Sequence, residues 1–268
     1  MYFNNGDKYD GDWKNDEKEG KGIMYYNNED KYDGDWKNDI KEGKGIIYYI
    51  NGNKYEGEFK GDTADGKGKE YYNNDKIYVG DFKNGKKEGR GTLYYNNNIE
   101  YKGYWKNNKK HGNGKEYYDN GDIYEGDFKN DKKEGRGIYD WKDGNRYDGF
   151  FENNVRHGKG AMLYKNGERY DGDWKNDKKE GKGIFYYKNG DRYVGYWKNG
   201  IKEGKGIYYY YNNYCDRYEG DWRNNEKEGK GISYYKNGDR MMGDYSNDKP
   251  IGKHAVLTKN GEVYTNNY

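Results

Sequence analysis

Few residues in this sequence have both the chemistry and the spacing that catalysis or metal binding requires. The three histidines, His111, His157 and His254, lie in different parts of the chain, and Cys215 is the single cysteine. His111 and His157 occupy one phase of a repeated pattern, about 19 Å apart at four strand spacings, whereas metal ligands lie about 2 Å from their ion. Only a site shared between two copies of the chain would bring them together. With no nucleophile near a base, we expect no enzyme activity, metal or cofactor.

Basic residues recur at one position and suggest anion binding. The residue between the two glycines of a repeated Gly-x-Gly is basic in ten of eleven copies, Asn113 being the exception. These residues, which we call the basic ladder, are Lys21, Lys44, Lys67, Arg90, Arg136, Lys159, Lys182, Lys205, Lys230 and Lys253. A phosphoinositide headgroup would use Arg136, Lys159, Lys182, Lys205 and Lys230, since each base near an anionic surface contributes about 1 kcal/mol.

Glutamates recur two residues before the ladder and favour a different interpretation of it. They are Glu19, Glu42, Glu88, Glu134, Glu180, Glu203 and Glu228. Two neighbouring rows of opposite sign would largely neutralise each other, and the ladder would then be a solvated surface. Gly-x-Gly itself is not a phosphate loop here, because no helix follows it.

Three aromatic residues replace a carboxylate that most copies carry. Tyr104, Phe150 and Tyr196 stand where the other copies have Asp or Glu, in every second repeat. By strand parity they point away from the face that holds the tyrosines and tryptophans of the repeat. An exposed ring there would suit a protein partner or a second copy of the chain. The alternatives are duplication of a two-repeat unit, or rings that lie down on neighbouring strands.

The other rings of the repeat are a second candidate surface. They would accept a partner helix or a cationic group, unless they simply form the core. The candidates are Tyr147, Tyr170, Trp174, Tyr193 and Trp197. Tyr209, Tyr210, Tyr211 and Tyr214 surround a two-residue insertion, where a longer turn must bulge outward, and of these Tyr211 and Tyr214 are our partner-binding candidates. Pro250 and His254, in the last copy, favour protection of a sheet edge.

All of these residues belong to a repeat of 23 residues in which Tyr-x-Gly-x-aromatic begins at Tyr9. The chain divides into a half repeat (1–8), eleven repeats (9–263, the last degenerate) and a partial repeat (264–268). We therefore predict a single array with no further domain.

Each repeat is predicted to be one β-hairpin. Tyr9, Gly11 and Trp13 alternate with Asp residues, which is the period of a strand, and pairs such as Asn199-Gly200 favour tight turns. A second turn, such as Asn120-Gly121-Asp122, closes each unit. Glycine across from a ring leaves space for that ring to lie over the backbone. The prediction is an all-β fold, an elongated, single-layer, twisted antiparallel sheet of stacked hairpins.

The amino-acid composition indicates a core of aromatic rings rather than aliphatic side chains, and it argues against one class of binding partner. Ile, Leu, Val and Phe make up only 29 of 268 residues, whereas there are 37 Tyr, 7 Trp and 43 Gly. This excludes an ordinary aliphatic core. A net charge of +2 argues against nucleic acid as a partner. No export signal is visible near Met1, so we expect a cytoplasmic protein.

The repeat resembles the MORN (membrane occupation and recognition nexus) family. The resemblance is clearest from Tyr170 to Gly183, which reads Tyr-Asp-Gly-Asp-Trp-Lys-Asn-Asp-Lys-Lys-Glu-Gly-Lys-Gly. The family often has His before Gly-x-Gly, and here that occurs only at His111 and His157. The resemblance implies a single-layer sheet that often forms homodimers, and scaffolds or adaptors at membranes and the cytoskeleton, some binding phosphoinositides and others helical segments of partner proteins.

Three functions follow as expectations. The first is a non-enzymatic scaffold that self-associates as a homodimer and tethers protein partners, at the periphery of a membrane or cytoskeletal structure. The second is a peripheral adaptor that binds anionic phospholipid headgroups. The third is a cell-wall or choline-binding array with aromatic cages, which the 23-residue unit and the absence of an export signal disfavour.

Overall fold

The computed structural model describes residues 1–268, and all of its regular elements are β-strands. The chain divides into two compact units, Met1–Lys132 and Lys133–Tyr268, which we call the first half and the second half. No helix is present that is long and apolar enough to cross a membrane. The predicted all-β architecture is therefore confirmed.

The first half is an antiparallel sheet of eleven strands. Each strand pairs with the next one in sequence. The strands are β1 (Lys8–Lys14), β2 (Glu17–Tyr25), β3 (Lys31–Lys37), β4 (Ile40–Tyr48), β5 (Lys54–Lys60), β6 (Thr63–Tyr71), β7 (Lys76–Lys83), β8 (Lys86–Tyr95), β9 (Asn98–Lys106), β10 (Lys109–Tyr117) and β11 (Ile123–Lys129).

The second half follows the same plan with twelve strands, the first of which begins at Lys132. Again each strand pairs with the next. The strands are β12 (Lys132–Asp140), β13 (Arg146–Glu152), β14 (Val155–Leu163), β15 (Arg169–Lys175), β16 (Lys178–Tyr186), β17 (Arg192–Lys198), β18 (Ile201–Tyr209), β19 (Cys215–Arg223), β20 (Glu226–Tyr235), β21 (Arg240–Ser246), β22 (Lys249–Leu257) and β23 (Val263–Asn267).

Two kinds of turn connect the strands, as the sequence predicted. Within a repeat, Asn15 and Asp16 both have positive φ, 52° and 63°, which matches the right-handed twist of the flanking strands. Between repeats, Asn120 Oδ1 accepts a hydrogen bond of 3.0 Å from the Asp122 amide, and Gly121 has a φ of 90°. Asn, Asp and Gly are needed here because other residues avoid these conformations.

The core consists of the repeat tyrosines lying over paired glycines. Tyr9 is fully buried, and its hydroxyl donates to the Asp12 carbonyl at 3.1 Å. A Cβ added to Gly22 would lie 2.2 Å from the Tyr9 hydroxyl, so no other residue fits. Trp13 and Trp36 meet the Tyr9 ring edge to face, at 5.1 and 5.4 Å between centroids. Each tyrosine thereby joins its own hairpin to the following one.

The last repeat builds the same core from a different residue. Met241 stands where the other repeats have the tyrosine, and His254 stands where they have the second glycine. The fully buried His254 ring lies over Gly243, where an added Cβ would meet it at 2.4 Å. Its Nε2–H donates to the Asp244 carbonyl at 2.8 Å, in the place of the tyrosine hydroxyl. The edge-protection interpretation was therefore wrong for His254, which is a core residue.

Candidate partner-binding surfaces

Strand parity gives each sheet two different faces. Tyr170 and Trp174 lie on what we call the anchor face, with the rings of the core. Lys182 lies on the opposite face, which we call the ladder face because it carries the basic ladder. The pairing of Lys182 with Tyr196, and of Gly183 with Gly195, fixes this arrangement.

On the ladder face of the first half lies a groove of about 1210 Å³. Its floor is the backbone of paired glycines, such as Gly57 with Gly68. Its walls are the side chains on either side of the glycines in each strand. One wall contains basic-ladder residues and Tyr104, and the other is mainly charged, with Asp33, Ile46, Glu56, Lys69, Val79, Thr92, Lys102, Lys115 and Glu125.

A second groove, of about 700 Å³, lies on the ladder face of the second half. It has the same glycine floor and a wall formed by ladder lysines and Tyr196. The opposite wall differs, because its residues are largely aliphatic: Asp171, Ile184, Val194, Ile207 and Glu219. This groove therefore combines apolar surface with cationic groups.

The three aromatic replacements are exposed on the ladder face. Tyr104 is 42 %, Phe150 49 % and Tyr196 46 % exposed. Tyr104 lines the groove of the first half and Tyr196 that of the second. They do not lie flat in a buried position, and exposed rings of this kind are typical of protein-binding surfaces. Their role in binding stays a prediction.

The basic ladder is paired with carboxylates, but not with the row that we expected. Lys159 Nζ lies 2.6 Å from Asp173 Oδ1, and Lys205 Nζ 2.7 Å from Asp221 Oδ1. These aspartates belong to the following strand. Where a ring replaces the aspartate, the base contacts the ring: Lys182 Nζ lies 5.5 Å from the Tyr196 ring centroid.

The glutamate row has a different task, so our expectation that it neutralises the ladder was wrong. Glu180 Oε2 accepts a hydrogen bond of 2.9 Å from the Asn199 amide, in the turn of the following hairpin. Glu88 does the same for Asn107 at 2.9 Å. These carboxylates join adjacent hairpins at their turns.

The anchor-face candidates lie in the core. Tyr147, Tyr170 and Tyr193 are fully buried, and Trp174 and Trp197 are nearly so. Cations do lie against these rings, but they belong to the chain itself. They are Arg156, 4.4 Å from the Trp174 centroid, and Lys179, 4.6 Å from that of Trp197. These rings offer little surface to a partner.

The insertion does expose tyrosines. Tyr211 and Tyr214 are 80 % and 75 % exposed, whereas Tyr209 and Tyr210 are partly buried. The Tyr211 amide donates to Asp191 Oδ1 at 2.7 Å, which fixes the start of the bulge. Cys215 is partly buried, and burial raises the pKa of its thiol. Binding by Tyr211 and Tyr214 stays a prediction.

The histidines form no site that the structure brings together. No three side chains among His, Cys, Asp and Glu are grouped as metal ligands. His157 Nδ1 lies 3.3 Å from Glu152 Oε2. That contact does not have the geometry of a hydrogen bond, and His111 Nδ1 is likewise buried without a hydrogen-bond partner.

Sequence reasoning missed one row of residues. Near the start of the second strand of most repeats, a lysine or arginine lies on the anchor face against the rings. We call this the cation row. It comprises Lys18, Lys41, Lys87, Lys110, Lys133, Arg156, Lys179, Lys202 and Lys227. Its constant spacing was visible in the sequence, but only the paired register shows that the row lies over the rings.

Comparison with protein families gives a match along most of the chain. The model of the MORN repeat matches ten tandem segments. They are residues 9–31, 32–54, 55–76, 78–99, 101–123, 124–146, 147–169, 170–192, 193–213 and 218–240. The degenerate eleventh copy is not matched, although β21 and β22 form its hairpin. A comparison with curated protein sequences finds no match.

Among solved structures, the TCP10 domain of Danio rerio CPAP in complex with a peptide of Danio rerio STIL is similar. The identity is 10 %, the match covers 98 % of this chain and 100 % of that chain, and the TM-score is 0.29. The SAS-4 TCP domain of Drosophila melanogaster, in complex with a proline-rich motif of Ana2, is also similar. The identity is 12 %, the match covers 84 % of this chain and 90 % of that chain, and the TM-score is 0.28. With TM-scores this low, no functional conclusion follows from either.

Proposed function

The chain belongs to the MORN repeat family, and we propose that it is a non-enzymatic scaffold that self-associates and tethers protein partners. The observation that carries this proposal is the pair of glycine-floored grooves, each with an exposed ring and cationic groups on one wall. Such a surface offers apolar contact at its centre and charge at its rim, as protein interfaces do. A cytoplasmic location is part of the proposal, and a position beside a membrane or cytoskeletal structure is the part that rests on family resemblance.

The grooves are continuous and open rather than enclosed pockets. Their glycine floor leaves main-chain groups close to the surface, and the ring at Tyr196 faces aliphatic side chains such as Ile207 across the second groove. An elongated segment of a partner would fill this shape better than a small molecule. Several segments bound side by side on one array would make the protein a tether.

The test is binding of peptides selected from a random library on the purified full-length chain. We expect the Tyr104→Asp, Phe150→Asp and Tyr196→Asp triple variant to lose the selected peptides while its circular dichroism and unfolding midpoint stay unchanged. Tyr25→Asp is the matched control, because Tyr25 is 40 % exposed but lines neither groove. Equal binding by the triple variant and the wild-type chain would refute the groove as the partner site.

Self-association is tested separately, by sedimentation velocity over a range of concentrations. We expect a dimer that the triple variant weakens, because the exposed rings contribute much of the apolar surface of the ladder face. A monomer at all concentrations would remove self-association from the proposal and leave partner binding untouched.

A phosphoinositide adaptor is the second candidate function. The observation that favours it is that ladder amines such as Lys159, 71 % exposed, share one face. The pairing of that amine with Asp173 reduces the net positive charge of the face, which argues against the adaptor. Flotation with phosphoinositide-containing and neutral vesicles, at low and near-physiological salt, decides: salt-sensitive binding to the anionic vesicles alone would favour the adaptor.

A further inference from the structure

The cation row of the second half contains two lysines whose amines lie among aromatic rings. Lys179 Nζ is 4.3 Å from the Phe185 ring centroid and 4.6 Å from that of Trp197. Lys202 Nζ is 4.3 Å from the Trp222 centroid and 5.3 Å from that of Tyr208. Rings partly satisfy a cation through their faces. They do not replace the water or carboxylate that a buried ammonium has lost.

Elsewhere in the row a carboxylate occupies one of two positions, and it forms an ion pair with Lys18, Lys87, Lys110 and Arg156. The first is near the end of the second strand of a repeat: Glu70, in the preceding repeat, lies 3.7 Å from Lys87 Nζ, and Glu116, on the same strand as Lys110, pairs with that lysine. The second is the last turn residue of the following hairpin, where Asp177 lies 2.9 Å from Arg156 Nε. The repeat therefore has two built-in places for the counterion of this cation.

At Lys179 and Lys202 both places hold neutral residues. The strand places are Met162 and Phe185 for Lys179, and Phe185 and Tyr208 for Lys202. The turn places are Gly200 for Lys179 and Asn225 for Lys202, whose Oδ1 accepts only from the Lys202 amide. Neither amine forms an ion pair, and the carboxylates that act on them, Glu168 on Lys179 and Asp248 on Lys202, do so from beyond ion-pair distance. Burial accordingly lowers the pKa of each to about 8.

We infer that Lys179 and Lys202 form a docking site on the anchor face for an acidic segment of a partner polypeptide. Its carboxylates supply from outside the counterions that Glu70, Glu116 and Asp177 supply from within the chain. The two lysines stand one repeat apart, two strand spacings or about 10 Å. Acidic residues three apart in a polyproline II segment lie on one side of it and are separated by about the same distance.

A polypeptide suits these amines better than a membrane surface does. Both lysines are recessed between rings and only partly exposed, so a flat layer of headgroups would not reach them. Glu side chains on flexible stems would. The site lies on the opposite face from the grooves, so it is independent of the proposed groove function.

The experiment measures fluorescence anisotropy of a labelled peptide with the full-length chain at low ionic strength. The probe is a repeat of Ala-Ala-Glu about 15 residues long, and the matched probe is a repeat of Ala-Ala-Gln of the same length. We expect the Glu probe to bind at least about tenfold more tightly than the Gln probe, as charge-assisted hydrogen bonds would give.

Two variants install the counterions that other repeats possess. Gly200→Asp and Asn225→Asp place a carboxylate at the turn position that Asp177 and Asp248 hold, and those aspartates share the positive φ of 65°. The Gly200→Asp and Asn225→Asp double variant should fold normally and lose the preference for the Glu probe. Asn108→Asp adds the same charge beside Lys87, which Glu70 already pairs, and should leave binding unchanged.

The remaining outcomes separate the alternatives. Equal binding of both probes, or no binding, would overturn the proposal. So would a double variant that keeps wild-type affinity, since the Glu probe would then bind elsewhere. If phosphatidylserine vesicles bind in its place and Asn225→Asp abolishes that binding, the ligand is a lipid and the polypeptide proposal is wrong. The groove variants Tyr104→Asp and Tyr196→Asp should not affect the Glu probe, so this test and the groove test fail independently.

Discussion

Lys87 in the first half and Lys202 in the second occupy the same position of the repeat but have different surroundings. Both amines lie over a tryptophan of the core, at 5.2 and 4.3 Å from the ring centroids. Lys87 is also within hydrogen-bond distance of the Tyr72 hydroxyl, at 2.5 Å, and is paired with Glu70. Lys202 has rings and no carboxylate. The same backbone position thus has an ion-pair partner at Lys87 and none at Lys202.

The difference arises from positions that the core does not restrict. Outside the last repeat, the glycines and repeat tyrosines are the same in both halves because the ring leaves no room for a Cβ. The residue beside the cation contacts only its neighbours on the anchor face, and it is Glu70 or Glu116 in one half and Phe185 or Tyr208 in the other. A repeat protein can therefore keep one core while it changes the charge state of a surface, hairpin by hairpin.

The largest expected effect is the loss of stability when a core glycine is substituted, and it should be similar in both halves because they share one kind of core. Gly68→Ala and Gly183→Ala change the equivalent glycine of each half, and the new Cβ would lie 2.5 Å from Tyr55 Oη and 2.4 Å from Tyr170 Oη. Each should lower the free energy of unfolding by about 3 kcal/mol, measured by urea titration. Gly85→Asn, at a turn with open space around it, is the control. A much smaller loss in one half would show that its tyrosine is not held as described.

A somewhat smaller loss of stability is expected in the last repeat, where Met241 and His254 replace the usual tyrosine and second glycine. Met241→Tyr should clash with the His254 ring, and His254→Gly should leave a cavity, so each should cost about 2 kcal/mol. The double variant restores the ordinary ring and glycine and should recover most of that loss, because the two positions are coupled. Hydrogen exchange of the β21 and β22 amides measures this locally. Additive losses would contradict the substitution of His254 for the tyrosine.

The sequence allowed the hairpins, both turn types and the face of Tyr104, Phe150 and Tyr196 to be predicted. These depend on local chemistry: period-two alternation, Asn-Gly turns, and glycine beside a ring. The partners of the charged residues were not predictable in this way. Glu180 reaches the Asn199 amide of the following hairpin, and Lys159 reaches Asp173 because the register of β14 and β15 places the two residues directly opposite each other. The exchange of roles between Met241 and His254 was not predictable either, because it becomes visible only when the two paired strands are placed side by side.

Measuring the free energy of unfolding as a function of pH tests the surroundings of the Lys179 and Lys202 amines. Burial lowers the pKa of Lys179 and Lys202 to about 8, from an ordinary value of 10.5. Between these values the unfolded chain binds more protons than the folded one, so the free energy of unfolding rises with pH. Relative to the Lys179→Gln and Lys202→Gln double variant, the wild-type chain should gain about 1 kcal/mol between about pH 7.5 and 9.5, after allowance for partial exposure.

The groups around these amines determine how that titration is read. Glu168 and Arg156 act on Lys179, and Asp248 and Lys227 act on Lys202. The repeat tyrosines that face them have pKa values raised above 10 by burial, so stability should fall at higher pH and the comparison stops below that point. Exposed Lys175→Gln and Lys198→Gln form the control double variant. A control that behaves like the Lys179 and Lys202 variant would contradict the assignment.

The smallest expected effect comes from a substitution that gives Lys87, in the first half, surroundings like those of Lys202 in the second half. Glu70→Gln removes the carboxylate beside Lys87 and keeps the shape of the side chain, and the turn position of Lys87 is the neutral Asn108. The loss of unfolding free energy should be only about 0.5 kcal/mol, because the pair is partly exposed. The Lys87 amine then resembles Lys202, and its pKa, already lowered by burial and raised in part by Glu70, should fall further. Titration of that amine by NMR measures this, and an unchanged pKa would mean that the rings, not the carboxylate, control the cation row.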